Sequence, residues 1–294
     1  MTTPADKEYA MNAITLAQPR AVVHRTRGNA HGPITRLLSP GRLGRKLKPF
    51  VFLDWFDLDL SGGHQGFGLH PHSGIATFTW LIEGEAAYED TTGARGVLPA
   101  GGVEWMRAGK GVWHASEPTP ASRRMAGFQL WLALPAELEL APAESVYLAP
   151  ERIPQAGPAK VLLGEYGGGK SPVPSPAGVS YLAVSLKDGE RWTFEPPAGH
   201  EVAWTALNAG ALRVAGEAAP LTAGELAAFA ESGEPIEFIA DGDAAFVLGS
   251  SPRHPHELAT GYYSVHTSPA ALAAGEAEIA RIGERLRELG RLQA

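Results

Sequence analysis

The chain has 294 residues, a formal charge of −7 and no cysteine, with 44% hydrophobic and 19% charged residues. That balance excludes a disordered tail, disulfides, thiolate ligands and a cysteine nucleophile, and it argues against direct nucleic-acid binding. The length suits two ordinary domains, and the 35 glycines and 24 prolines, spread without period, predict short strands joined by many turns.

Residues 1–20 read as a loose lead-in without the apolar core of a signal peptide. No uncharged apolar run approaches the roughly 18 residues of a membrane helix, so a soluble cytoplasmic protein with no membrane partner is expected. A β-branched run at 21–23 gives way to polar, glycine-rich sequence up to about Lys48. Within it Arg42, Arg45, Lys46 and Lys48 read as solvated loop charge rather than a site for an acidic partner. An apolar run at 49–52 enters Asp54-Trp55-Phe56-Asp57, and 75–82 (IATFTWLI) is the clearest strand, closed by Glu83 and Gly84.

Glu83, Glu85, Glu89 and Asp90 read as a solvated hairpin. Strands at 102–106, 111–114 and 125–134 follow at the close spacing of a sandwich or barrel. Residues 135–158, with further prolines, read as a connector over the surface. The strand pattern then restarts at 160–163, 179–186, 190–194, 200–207, 211–214, 226–229, 236–240 and 244–249, which predicts a second β domain. Ser268 and Pro269 open a C-terminal helix carrying Leu272, Ile279, Ile282, Leu286 and Leu289 at helical spacing.

The chemistry begins at His70-Pro71-His72. Two imidazoles at i and i+2 of an extended segment point to one side, so one ion can accept both. His114 ends another expected strand, and antiparallel pairing would bring it to the same place. Three neutral imidazoles suit iron, zinc, copper, nickel or manganese and leave positions open for water or substrate.

The stretches FLDWFD (52–57), GLHPHSGIATFTWLIEGEAAYED (68–90) and GVEWMRAGKGVWHASEP (102–118) resemble the signature region of the pirin family. KVLLGEYGGGKSP (160–172) is similar to the start of that family's second domain. The resemblance implies an all-β fold of two jelly-roll cupin domains in tandem with a C-terminal α-helix. Residues 1–150 would form the metal-binding cupin and 151–294 a metal-free one ending in the helix. It also implies one divalent first-row metal per chain, most often assigned as iron, with zinc, nickel, copper or manganese not distinguished by imidazole ligands. Some pirins have quercetin 2,3-dioxygenase activity, and others are metal-dependent partner proteins. Two readings follow: an oxygenase acting on a flavonol or similar enolic aromatic, or a non-catalytic, metal-modulated regulatory or protein-binding cupin.

Carried over residue by residue, the metal ligands are His70, His72 and His114. The fourth does not carry over, because the family's His-x-Glu puts its carboxylate at Ser116 while the glutamate here is Glu117. On a regular strand Ser116 shares the face of His114 and Glu117 points away. A one-residue bulge before Pro118 would swing Glu117 back, as fourth ligand or as base for a flavonol hydroxyl. Both arrangements stay open in the sequence. Ala76 stands where pirins often carry a glutamate. Alternation from His72 turns Gly74, Ala76, Phe78 and Trp80 toward the barrel interior, giving an apolar pocket. The plainer reading of Phe78 and Trp80, as of Trp105, Met106 and Trp113, is ordinary core.

The run 164–171 matches the phosphate-loop formula, yet Pro172, Pro174 and Pro176 forbid the helix that its mechanism needs, so it reads as a turn. His254-Pro255-His256 repeats the His-Pro-His wording. These residues read as rim histidines, the competing reading being a second metal site with His266. His64 reads as a loop residue near the pocket mouth. No nucleophile-elbow sequence appears.

Overall fold

The computed structural model describes residues 19–62 and 66–292, so the expected lead-in and His64 lie outside the described residues. The first half runs through β1 (Val22–Thr26), β2 (Asn29–His31), β3 (Ile34–Leu38), β4 (Phe50–Asp59), β5 (Phe67–His72) and β6 (Ile75–Glu83). It continues with β7 (Ala86–Asp90), β8 (Arg95–Leu98), β9 (Val103–Arg107), β10 (Val112–Pro118), β11 (Arg124–Ala133) and β12 (Glu144–Leu148). One short helix, α1 (Arg42–Lys46), lies between β3 and β4. The second half runs through β13 (Gln155–Ala156), β14 (Ala159–Leu163), β15 (Glu165–Tyr166), β16 (Gly169–Lys170), β17 (Ser180–Leu186) and β18 (Arg191–Phe194). Then come β19 (Val202–Val214), β20 (Leu221–Thr222), β21 (Leu226–Phe229), β22 (Ile236–Ser251), β23 (Ala259–Thr260), β24 (Val265–His266) and α2 (Pro269–Glu288).

These strands build two cupin domains in tandem. In the first, a seven-stranded sheet (β12-β9-β6-β11-β4-β3-β2) is joined by a four-stranded one (β5-β10-β7-β8). The second is built on a nine-stranded sheet that recruits β1 against β21. β19 and β22 each span two strands expected from the sequence. Gly210 (φ +74°) and Gly242 (φ +77°) let the chain bend there without ending the ladder. A Cβ on Gly210 would meet the Asp243 carbonyl oxygen at 2.1 Å, so the two bends depend on each other.

The seven-stranded sheet packs face to face on the second half, and both contribute to one core. Phe78 meets Tyr181 edge-on and Phe50 meets Trp204 likewise, each with ring centroids 5.4 Å apart. Every fully buried aromatic of this kind contributes roughly 1.5–3 kcal/mol through desolvation. Phe78 and Trp105 are therefore core, as the plainer reading had it. The expected alternation is corrected, however: Ala76 and Phe78 face the second domain, while Thr79 and Leu81 face the first barrel's interior. Gly74 (φ +74°) interrupts the extended run between His72 and Ile75, so counting by twos fails across it.

Other expectations are also revised. The stretch up to Lys48 holds β2, β3 and α1, and the supposed connector carries β12 paired with β9. Lys48 is no solvated charge, since it is buried and its ammonium donates to the His256 carbonyl (2.5 Å) and to Glu257 (3.1 Å). Asp90, expected in a solvated hairpin, is buried and accepts from Thr92, Ser145 and Tyr147. Glu165–Lys170 is a tight hairpin, consistent with a turn rather than a phosphate loop.

Helix α2 begins where the sequence signals it, with the Ser268 hydroxyl accepting from the Ala271 N–H at 3.2 Å and Pro269 in the first turn. Its buried stripe includes Ile279 and Leu286, whereas Leu289 caps the end and is exposed. The helix packs behind β10, where Trp113 Nε1 donates to the Ile279 carbonyl at 2.8 Å. Among the described residues no helix is long and apolar enough to cross a membrane.

Candidate metal centre

Strand pairing explains why three distant histidines meet. β5 and β10 are antiparallel, with His70 directly opposite His114 and His72 opposite Val112. Opposed residues share a sheet face, and i and i+2 share it too, so all three imidazoles project to one side. Pro71 is tolerated between two of them because β5 is a sheet edge. The ring centroids lie 4.4 Å (70 to 114), 5.0 Å (70 to 72) and 5.1 Å (72 to 114) apart.

The hydrogen bonds decide which nitrogens are offered. His70 Nδ1 faces the Gly68 carbonyl at 2.8 Å, His72 Nδ1 the Tyr263 carbonyl at 3.2 Å, and His114 Nδ1 a Glu104 carboxylate oxygen at 3.3 Å. A carbonyl or a carboxylate only accepts, so each Nδ1 carries a proton, and in the neutral ring Nε2 is the nitrogen that offers a lone pair. Nε2 of His72 and of His114 is buried with no partner, a state proteins seldom leave uncompensated. Ligand atoms of the three residues all lie within 4.8 Å of one another. Burial, reinforced by the neighbouring imidazoles, pushes the His70 ring down to about 4 and the His72 ring well below the usual imidazole range. Both rings are thus neutral at physiological pH, as metal ligands must be. The residues fit a divalent first-row ion.

Glu117 does not join them. The pairing of β10 with β7 is continuous from His114 to Pro118, so alternation holds and Glu117 is exposed. The one irregularity lies across on β5, where Phe67 to His70 spans one residue more than Ser116 to His114. Ser116 instead lines a cavity of about 20 Å³ with His70, His114, Glu104, Thr79 and Gln129. Of the two arrangements left open, the bulge that would swing Glu117 back is not formed, because the strand is regular on that side.

Glu104 is the residue that sequence reasoning passed over. It is buried on β9, its other oxygen accepts from the Thr79 hydroxyl at 3.1 Å, and among the described residues no lysine or arginine pairs with it. The available signal was a single acidic residue inside the apolar run Val103-Glu104-Trp105-Met106.

Outside the histidines lies an open pocket of about 480 Å³. Phe52 and Trp131 stack along it with centroids 4.0 Å apart and planes 8° from parallel. Arg36 sits 4.0 Å over the Phe52 ring and forms a two-point pair with Asp54 at 2.5 and 2.9 Å. Burial raises the Asp54 carboxyl against the pull of that guanidinium. Tyr262 and Tyr263 close the far side.

His254 and His256 are not ligands of a second centre among the described residues. His254 Nε2 faces the Leu134 carbonyl at 3.1 Å, and its Nδ1 accepts from the His256 N–H at 3.3 Å. His266 stands apart, between Ser73 (3.0 Å) and Glu139 (3.2 Å).

Fold and site together define a bicupin with a three-histidine candidate metal centre in its first barrel. The pirin family model matches residues 33–132. A Pseudomonas aeruginosa protein named "Putative quercetin 2,3-dioxygenase" is 34% identical over 75% of this chain and 81% of its own length. A Caulobacter vibrioides pirin-like protein is also 34% identical, over 73% and 79%. The chain belongs to the pirin family. Among solved structures, a quercetin 2,3-dioxygenase from Acinetobacter baumannii superposes with a TM-score of 0.83 at 24% identity, covering 90% of this chain and 97% of that one. An Escherichia coli pirin in complex with nickel(II) gives 0.61 at 20% identity, covering 80% and 98%.

Proposed function

We propose that the chain is a metal-dependent oxygenase of the quercetin 2,3-dioxygenase type, with His70, His72 and His114 as its metal ligands. The observation that carries this reading is the convergence of three imidazoles, each with Nδ1 facing an acceptor, beside a stacked aromatic wall. A divalent ion held there, with iron the first candidate and nickel, zinc, copper and manganese the alternatives, would supply Lewis-acid charge to an enolic oxygen and a route to dioxygen. Phe52 and Trp131 offer a flat apolar surface to an aromatic ring. Arg36, fixed by Asp54, sets positive charge at the pocket edge. The substrate class is a planar aromatic with an enolic or phenolic chelating pair, a flavonol being the first to test.

Ser116 in place of the family carboxylate favours a second reading, a metal-modulated regulatory or protein-binding cupin without turnover. Elemental analysis followed by oxygen uptake with quercetin separates the two. One ion per chain with uptake is expected, and a loaded protein that consumes no oxygen overturns the catalytic reading in favour of the second. We also place the division between the two cupins near residue 150 and the protein in the cytoplasm, acting on a small molecule without contacting nucleic acid.

A further inference from the structure

Two features of the first barrel remain unexplained by three histidines alone. Glu104 is a buried carboxylate that no lysine or arginine pairs with among the described residues. Removing a carboxylate from water without compensating charge is costly, and proteins seldom keep one without a reason. Ser116, at the position where a carboxylate would face the same side as His114, is too short to fill the space there and lines a small cavity instead. Both residues border that one cavity, from neighbouring walls of the barrel.

We propose that Glu104 is the carboxylate of this centre, acting through His114 rather than on the ion. This rests on the metal-binding part of the reading above. Glu104 Oε1 accepts the His114 Nδ1 proton, while the Thr79 hydroxyl holds Oε2 and fixes the carboxylate's rotation. An acceptor at Nδ1 settles the tautomer, aims Nε2 at the shared point and makes it a stronger donor. The negative charge that Ser116 no longer brings into the coordination sphere is thereby kept one ring away. Two consequences follow from the charge arrangement. An ion held by imidazole nitrogens alone would keep its full double charge, which would strengthen its attraction for an anionic oxygen chelator. The side next to Ser116 stays open, with a cavity of about 20 Å³ that suits one water molecule. Glu104 is thus a positioning residue.

The test uses cobalt(II) as the probe, since its visible spectrum reports ligand number, with affinities read by competition against a chelator. The wild-type chain is titrated first, and failure to bind one cobalt per chain overturns the metal centre itself. Given binding, Glu104→Leu is expected to lose about 10–100-fold in affinity, and Glu104→Gln, which keeps an acceptor for Nδ1, to recover part of that loss. The metal-free Glu104→Leu protein is also expected to unfold earlier than metal-free wild type, because the His114 Nδ1–H and the Thr79 hydroxyl lose their acceptor. A purely structural Glu104 would give early unfolding with unchanged cobalt affinity, and that result overturns the proposal. Ser116→Glu in the Glu104→Gln background is expected to change the cobalt spectrum by adding an oxygen ligand. An unchanged spectrum there would mean that position 116 does not reach the ion, and the relocated-carboxylate argument would fail.

Discussion

His72 donates its Nδ1 proton to the backbone carbonyl of Tyr263, 191 residues further along the chain. One ligand of the first barrel is therefore aimed by a strap that arrives after the second. The strap is anchored beside the same histidine: Ser73 Oγ lies 2.8 Å from Ser264 Oγ and 3.0 Å from His266 Nε2. Glu139 completes the latch by accepting from His266 Nδ1, the Thr267 N–H and the Thr267 hydroxyl.

Glu139→Ala tests that latch. It leaves three donors at a buried site without an acceptor, and the expected cost is about 2–4 kcal/mol in a urea denaturation curve. Metal affinity should fall with it, because the strap carries the Tyr263 carbonyl that faces His72 Nδ1.

The ligand assignment makes a paired prediction. His72→Ala abolishes stoichiometric metal binding by elemental analysis, since two nitrogens on opposed strands cannot hold the ion as three do. Glu117→Gln leaves affinity unchanged, because that side chain faces solvent from the far side of its strand. A drop for Glu117→Gln would restore the bulge that the β10 register rules out.

Helix α2 supports the site from behind at Gly275. A Cβ on Gly275 would stand 2.5 Å from both His266 Nε2 and Ser73 Oγ. Gly275→Ala gains about 1 kcal/mol of helix propensity but forces apart groups already in contact, at a cost of about 1–3 kcal/mol. The net expectation is a less stable protein with weakened metal binding, measured by denaturation and titration on the same preparation.

Stability should fall with acid through His200 and His254, both lowered chiefly by burial. The unfolded chain takes up protons near the ordinary imidazole value of about 6.5, whereas the folded chain resists until lower pH. Their contribution is present above about pH 6.5 and is lost as pH falls below it toward the folded values. Thermal scans from about pH 8 to about pH 5 should show a falling midpoint. His254→Gln, which keeps a donor for the Leu134 carbonyl and an acceptor for the His256 N–H, should reduce the fall.

Much of the site was written in local pattern. His70 and His72 share a face because side chains alternate along an extended segment, and Ser268 with Pro269 announces α2 to the residue. Alternation also foretold that Ser116, not Glu117, would share the side of His114. The same rule misled across Gly74, whose positive φ breaks the count, so Ala76 and Phe78 joined the core between the domains instead of the pocket.

What local pattern could not decide was which strands become neighbours. Glu104 reaches His114 because β9 and β10 lie in walls of one barrel, and Tyr263 reaches His72 because the chain returns after the second domain. The sequence by itself determined the three imidazoles, their strands and the closing helix, all set by steric preferences within a few residues. Only the tertiary structure decided their proton positions and their carboxylate, because hydrogen bonds act over about 3 Å of space whatever the separation along the chain.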